Sequence, residues 1–107
     1  MNPVMNNTKW EELRLAMLDL ENRPRWRTRD VQSGYESPWD REWYYHFRQG
    51  GYSTIEWVEI AAESPEQLLE LQGALARVHV PGERTEVGFR VFGFIPAGKA
   101  VDYVPPA

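Results

Sequence analysis

The sequence predicts an α+β fold: a two-layer sandwich with elements in the order α-β-β-β-α-β-β, a mixed, mostly antiparallel sheet and two helices on one face. Three observations carry this expectation. Two stretches combine an N-terminal capping signature with apolar residues at helical spacing, an aromatic run doubles back at Gly50-Gly51, and a second β-rich run, Glu86 to Ile95, follows the second helix.

Met1 to Asn7 reads as a flexible tail ahead of a single domain spanning 1–107. Thr8-Lys9-Trp10-Glu11 has the spacing of a capping box, and Trp10, Leu13, Met17 and Leu20 then recur every three or four residues, which predicts a helix over 9–21. Asn22 and Pro24 end it. From Arg25 to Val31 the residues alternate, with Arg25, Arg27 and Arg29 on one face of a strand and Trp26, Thr28 and Asp30 on the other. A turn-rich loop, Gln32 to Pro38, leads into the expected central hairpin.

That hairpin comprises Trp39 to Phe47, the turn Arg48-Gln49-Gly50-Gly51 and the return Tyr52 to Ile60. In the return, Thr54, Glu56, Val58 and Ile60 share one face by alternation and Ile55, Trp57 and Glu59 the other, so apolar residues on both faces place it at the centre of the sheet. Ser64-Pro65-Glu66-Gln67 opens a second helix over 65–77, buried through Leu68, Leu71 and Leu75. Pro81-Gly82 breaks the chain, Glu86 to Ile95 forms the next strand, and Ala100 to Val104 is its short hairpin partner. A strand, a helix and a returning strand suggest a right-handed crossover, with the Glu86–Ile95 strand parallel to the Tyr52–Ile60 strand.

Composition narrows the function. The 107 residues carry a formal charge of −4, which disfavours nucleic acid and anionic lipid and suits a basic protein partner. There is no cysteine, which excludes thiol nucleophiles, disulfides and cysteine-ligated metals and fits the cytoplasm. No apolar run approaches the ~18 residues of a membrane span, and the first residues lack a secretory pattern. No cofactor motif is present, and nothing sets an oligomeric state.

Lys9-Trp10-Glu11-Glu12-Leu13, the segment Trp39 to His46 and Ile55-Glu56-Trp57-Val58-Glu59-Ile60 resemble a family of small uncharacterised bacterial proteins, with Lys-Trp-x-x-Leu, Trp-Asp-x-Glu-Trp-x-Tyr-His and Ile-Glu-Trp-x-Glu-Ile segments. The resemblance extends over most of the chain and implies no catalytic residue, ligand or partner. In size, acidity and α+β build the chain also resembles bacterial immunity proteins that neutralise toxins, a likeness of class without a motif.

His46 lies among aromatics with Asp40, Glu42, Glu56 and Glu59 nearby in sequence or across the turn, and a histidine–carboxylate pair can do acid–base chemistry. A structural hydrogen bond is the stronger reading, because no companion nucleophile exists. A metal site is the weaker reading still, because His79 sits beyond the second helix and the sequence has no His-x-His or His-x₃-His pair. Arg27 and Arg29, with Arg25, could hold a phosphate; pairing with Glu56 or Glu59 across the sheet is the stronger expectation. Trp39, Tyr44, Tyr45 and Tyr52 either fill the core or anchor a protein interface ringed by Asp40, Glu42, Glu56 and Glu59. The leading reading is a non-enzymatic protein-binding module such as an inhibitor or immunity-type protein. The alternative is a small-ligand or nucleotide site at Arg27, Arg29, Tyr44, His46 and Glu56, in its boldest form a hydrolase using His46 and Glu56.

Overall fold

The computed structural model describes residues 1–107 as β1 (Asn2–Pro3), α1 (Asn7–Leu18), β2 (Arg25–Asp30), β3 (Ile55–Ala61), α2 (Pro65–Val78), β4 (Gly82–Arg84), β5 (Gly88–Phe92) and β6 (Phe94–Ile95). This is an α+β fold. The main sheet has the order β2-β3-β5-β4, and β1 and β6 form a separate antiparallel pair. One apolar cluster joins Trp10, Leu13 and Met17 of α1, Leu71, Ala74 and Leu75 of α2, and Trp26, Val58, Ile60, Phe89 and Val91 of the sheet, so both helices cover the same sheet face. Cross-strand pairs Trp26–Ile60, Ile60–Phe89 and Val58–Val91 keep that face continuous. Neither helix is long and apolar enough to cross a membrane.

Helix α2 begins as its sequence predicts, with the Ser64 side chain accepting from the Gln67 backbone N–H at 3.1 Å and proline at the first helical position. Helix α1 begins earlier than predicted. Asn6, not Thr8, is the cap, its Oδ1 accepting from the Lys9 N–H at 2.8 Å, and the helix ends at Leu18. The expected tail is also partly ordered by pairing: Asn2–Pro3 lie against Phe94–Ile95, and the Val4 N–H donates to Gly93 O at 2.9 Å.

The outward limb of the expected hairpin is not a strand. Residues 43–50 wind as consecutive turns, and Tyr45, which alternation would put beside Trp43 and Phe47, is exposed while those two are buried. Trp43 and Phe47, four residues apart, share a side in a strand and in a helical turn alike; Tyr45, midway between them, shares it only in a strand, and the turn points it outward. The Trp43 and Phe47 rings pack 4.8 Å apart, Phe47 meets Trp26 edge-on at 5.1 Å, and Trp43 Nε1 donates to Pro24 O at 2.9 Å.

The return limb is the expected central strand, β3, flanked by β2 and β5. A bulge alters its far end: Arg29 lies opposite Trp57 but Asp30 opposite Ile55, so Glu56 is the extra residue. Alternation would have grouped Glu56 with Val58 and Ile60, whereas its carboxylate meets Arg29 on the other face. Strands β3 and β5 are antiparallel, not parallel. The strand returning from α2 is the three-residue β4, too short for its sequence to announce; two antiparallel steps, β3–β5 and β5–β4, make β4 the one that runs in the direction of β3. Ala100–Val104 contributes only a bridge between Tyr103 and Pro81 rather than a strand.

Loop and tail segments lie along both outer strands. On β2, the Trp26 and Asp40 backbones exchange two 2.8 Å bonds, the Ser37 N–H donates to Thr28 O, and the Asp30 N–H donates to Tyr35 O. Beside β4, the Gly82 N–H donates to Asp102 O at 2.9 Å and the Val104 N–H to Val80 O at 3.1 Å.

Candidate functional site

Two polar surfaces emerge from these elements. The first is the aromatic turn. Tyr44 and Tyr45 are 62% and 55% exposed although their neighbours Trp43 and Phe47 anchor the same turn in the core. The Glu42 carboxylate holds the turn from its start, accepting the backbone N–H groups of Tyr44, Tyr45 and His46 at 2.9, 2.8 and 2.7 Å. Those N–H donors, the His46 one foremost, outweigh burial and lower the Glu42 pKa. His46 Nδ1 lies 2.8 Å from Asp40 Oδ2 on the exposed side. Burial pushes the Asp40 carboxyl up, but the N–H of Glu42, the His46 ring and the N–H of Arg41 together bring it below its ordinary value.

Arginines back the tyrosines. Arg48 lies over both rings, 5.3 Å from the Tyr44 centroid and 5.9 Å from that of Tyr45. Arg14, buried in α1, donates to Tyr44 O at 2.9 Å and pairs with Glu11. Glu11 in turn accepts from the Tyr52 hydroxyl at 2.5 Å.

The second surface is the sheet face away from the helices. Here Arg27 donates through Nη2 to Glu59 at 2.9 Å, Arg29 meets Glu36 at 2.9 Å and Glu56 at 3.3 Å, and Arg90 approaches Glu59 at 3.6 Å. Indoles separate the charges: Trp39 lies under Arg25 and Arg27 at 5.1 and 4.9 Å, and Trp57 under Arg90 at 4.1 Å. This is a lattice of ion pairs and cation–π contacts.

The residues singled out from the sequence divide between the two surfaces. Asp40, Glu42, Tyr44 and His46 belong to the turn, whereas Arg27, Arg29, Trp39 and Glu56 belong to the sheet face. Tyr52 is half-buried, packed on Trp10 and Phe47 and bound to Glu11. His46 is engaged with Asp40 and Glu56 with Arg29, and none of the five principal cavities is lined by His46 or Arg27. Sequence reasoning missed Arg14, Arg48 and Arg90. The spacing Glu11 to Arg14 and Tyr44 to Arg48, three and four residues, was the available signal for the first two, while Arg90 required the β3–β5 register.

A family model of unknown function matches residues 1–98. The chain belongs to the family DUF6678. This membership agrees with the resemblance to an uncharacterised family that the sequence carries. No curated protein and no solved structure matches this DUF6678 chain.

Proposed function

We propose that this DUF6678 chain is a non-enzymatic protein-binding module of the inhibitor or immunity type, acting in the cytoplasm through its aromatic turn. The observation that carries the reading is the pair of adjacent exposed tyrosines on a turn fixed from beneath by buried Trp43 and Phe47. Rigid aromatics with a polar tip give contact area at low entropic cost, and here the backbone is already ordered before a partner arrives. Asp40 and Glu42 beside them, with a net charge of −4, favour a basic partner and fast association.

The alternative, a small-ligand or nucleotide site at Arg27, Arg29, Tyr44, His46 and Glu56, is less well served. Those residues lie on two surfaces, and the two arginines already have carboxylate partners. The test is to identify a partner by capture from the source cell, purify it and measure its binding. Tyr44→Ala and Tyr45→Ala should each weaken binding by about tenfold or more. Unchanged affinity in both variants would overturn the aromatic-turn reading, and an affinity insensitive to salt would overturn the basic-partner element.

A further inference from the structure

A cleft of about 460 Å³ lies at the β4–β5 end of the sheet, between the strands and the segment that follows β6. It shares no residue with the aromatic turn. Its apolar lining comes from Trp57, Phe92, Phe94 and Val101. Five charged side chains, Glu56, Glu83, Arg90, Lys99 and Asp102, complete it, and of these Glu56 is already paired with Arg29. The volume falls within the roughly 300–1,000 Å³ of small-molecule sites.

The charges are what make the cleft informative. Lys99, Glu83 and Asp102 are exposed and take part in none of the protein's ion pairs. Arg90 is stacked on Trp57 at 4.1 Å, its ion-pair contact with Glu59 is a long 3.6 Å, and its Nε is buried with no acceptor. Glu83 is the cross-strand partner of Arg90, yet the two do not pair, because the guanidinium is turned onto the indole. Elsewhere on this sheet face the arginines at 27 and 29 are each matched to a glutamate, whereas Lys99, Glu83 and Asp102 meet in one cleft without ion-pair partners.

We infer that this cleft binds a small zwitterion with an apolar body, a free aromatic or branched-chain α-amino acid. Arg90 and Lys99 supply donors for the carboxylate, Glu83 and Asp102 accept from the ammonium, and Trp57, Phe92 and Phe94 take the side chain. A simple anion or cation would engage only one of the two pairs, whereas a zwitterion engages both at once.

Calorimetric titration of the purified full chain with L-phenylalanine, L-leucine, glycine, phenylacetate and phenethylamine tests the inference. Saturable binding of L-phenylalanine or L-leucine is expected, with glycine, phenylacetate and phenethylamine each weaker by about tenfold or more. Arg90→Gln and Lys99→Gln should each weaken amino-acid binding by a similar factor. Lys99 is exposed, so its variant separates lost binding from lost folding. No binding by either amino acid, equal binding of phenylacetate, or wild-type affinity in both variants would overturn the inference. Tyr44→Ala should leave this binding unchanged, which keeps the cleft separable from the proposed protein interface.

Discussion

The Tyr52 hydroxyl donates a 2.5 Å hydrogen bond to Glu11, tying the exit of the aromatic turn to the first turns of α1. Hydrogen bonds from Arg14 and Tyr52 bring the Glu11 pKa to about 2, and burial together with the Glu11 bond raises that of Tyr52 to about 12. The signs are opposite. Glu11 contributes stability above its ordinary value of 4.5 that is lost as pH falls toward 2, whereas Tyr52 contributes stability below 10.0 that is lost as pH rises toward 12. Tyr52→Phe should cost about 1 kcal/mol at neutral pH, flatten the alkaline limb and shallow the acid limb. Thermal unfolding midpoints of both proteins across pH check this, and parallel profiles would sink it.

Glu59 and Glu56 should differ sharply on neutralisation. The Glu59 side chain is 7% exposed and receives two bonds from Arg27, at 3.2 and 2.9 Å, with Arg90 beside it. Glu59→Gln weakens all of these in a buried position and should cost about 2 kcal/mol, discounted from larger buried-pair values because both arginines reach solvent. Glu56, displaced by the bulge to the wetter end of the lattice, has one 3.3 Å contact with Arg29. Glu56→Gln should cost less than about 1 kcal/mol. Chemical denaturation of the two variants decides, and equal losses would contradict the assignment.

Gly93, between β5 and β6, is a close-approach position. A Cβ there would sit 2.0 Å from Ile55 O and 2.9 Å from the Trp10 ring. Gly93→Ala should therefore cost about 3 kcal/mol through forced displacement of β3 or α1. At Gly51 the obstacle is different: φ is +81° with nothing within 4 Å, so Gly51→Ala should lose only the roughly 1–2 kcal/mol of a left-handed non-glycine residue. Comparing their unfolding midpoints separates crowding from backbone strain.

The start of α1 offers a compact check. Asn6→Ala removes the side-chain acceptor from the Lys9 N–H and should cost about 1 kcal/mol, whereas Thr8→Ala, inside the helix, should change stability by less than about 0.5 kcal/mol. A larger loss at Thr8 than at Asn6 would move the cap back to the position its sequence suggests.

These cases show what was legible and why. Ser64-Pro65-Glu66-Gln67 has no competing cap nearby, and α2 begins where it points. Near Thr8, a polar side chain two residues earlier captured the role. Alternation correctly grouped Arg25, Arg27 and Arg29 opposite the core, since β2 is regular up to its last residue. It failed at Glu56, where one inserted residue reverses the face, and at Tyr45, which a strand would group with Trp43 and Phe47 but a helical turn puts on the other side. Of the turn, the tyrosines and Glu42 could be named from sequence; their exposure could not, because it depends on which of two periodicities wins.

Because Tyr35 to Asp40 occupy the free side of β2 and Asp102 bonds the first residue of β4, little of either edge of the four-stranded sheet is left for a fifth strand. A ligand peptide finds only a short main-chain ladder to extend, and a second copy finds little to join edge to edge. Selectivity toward any visitor then rests mainly on side chains, and the chain's own connecting segments narrow the aggregation route open to most small sheets.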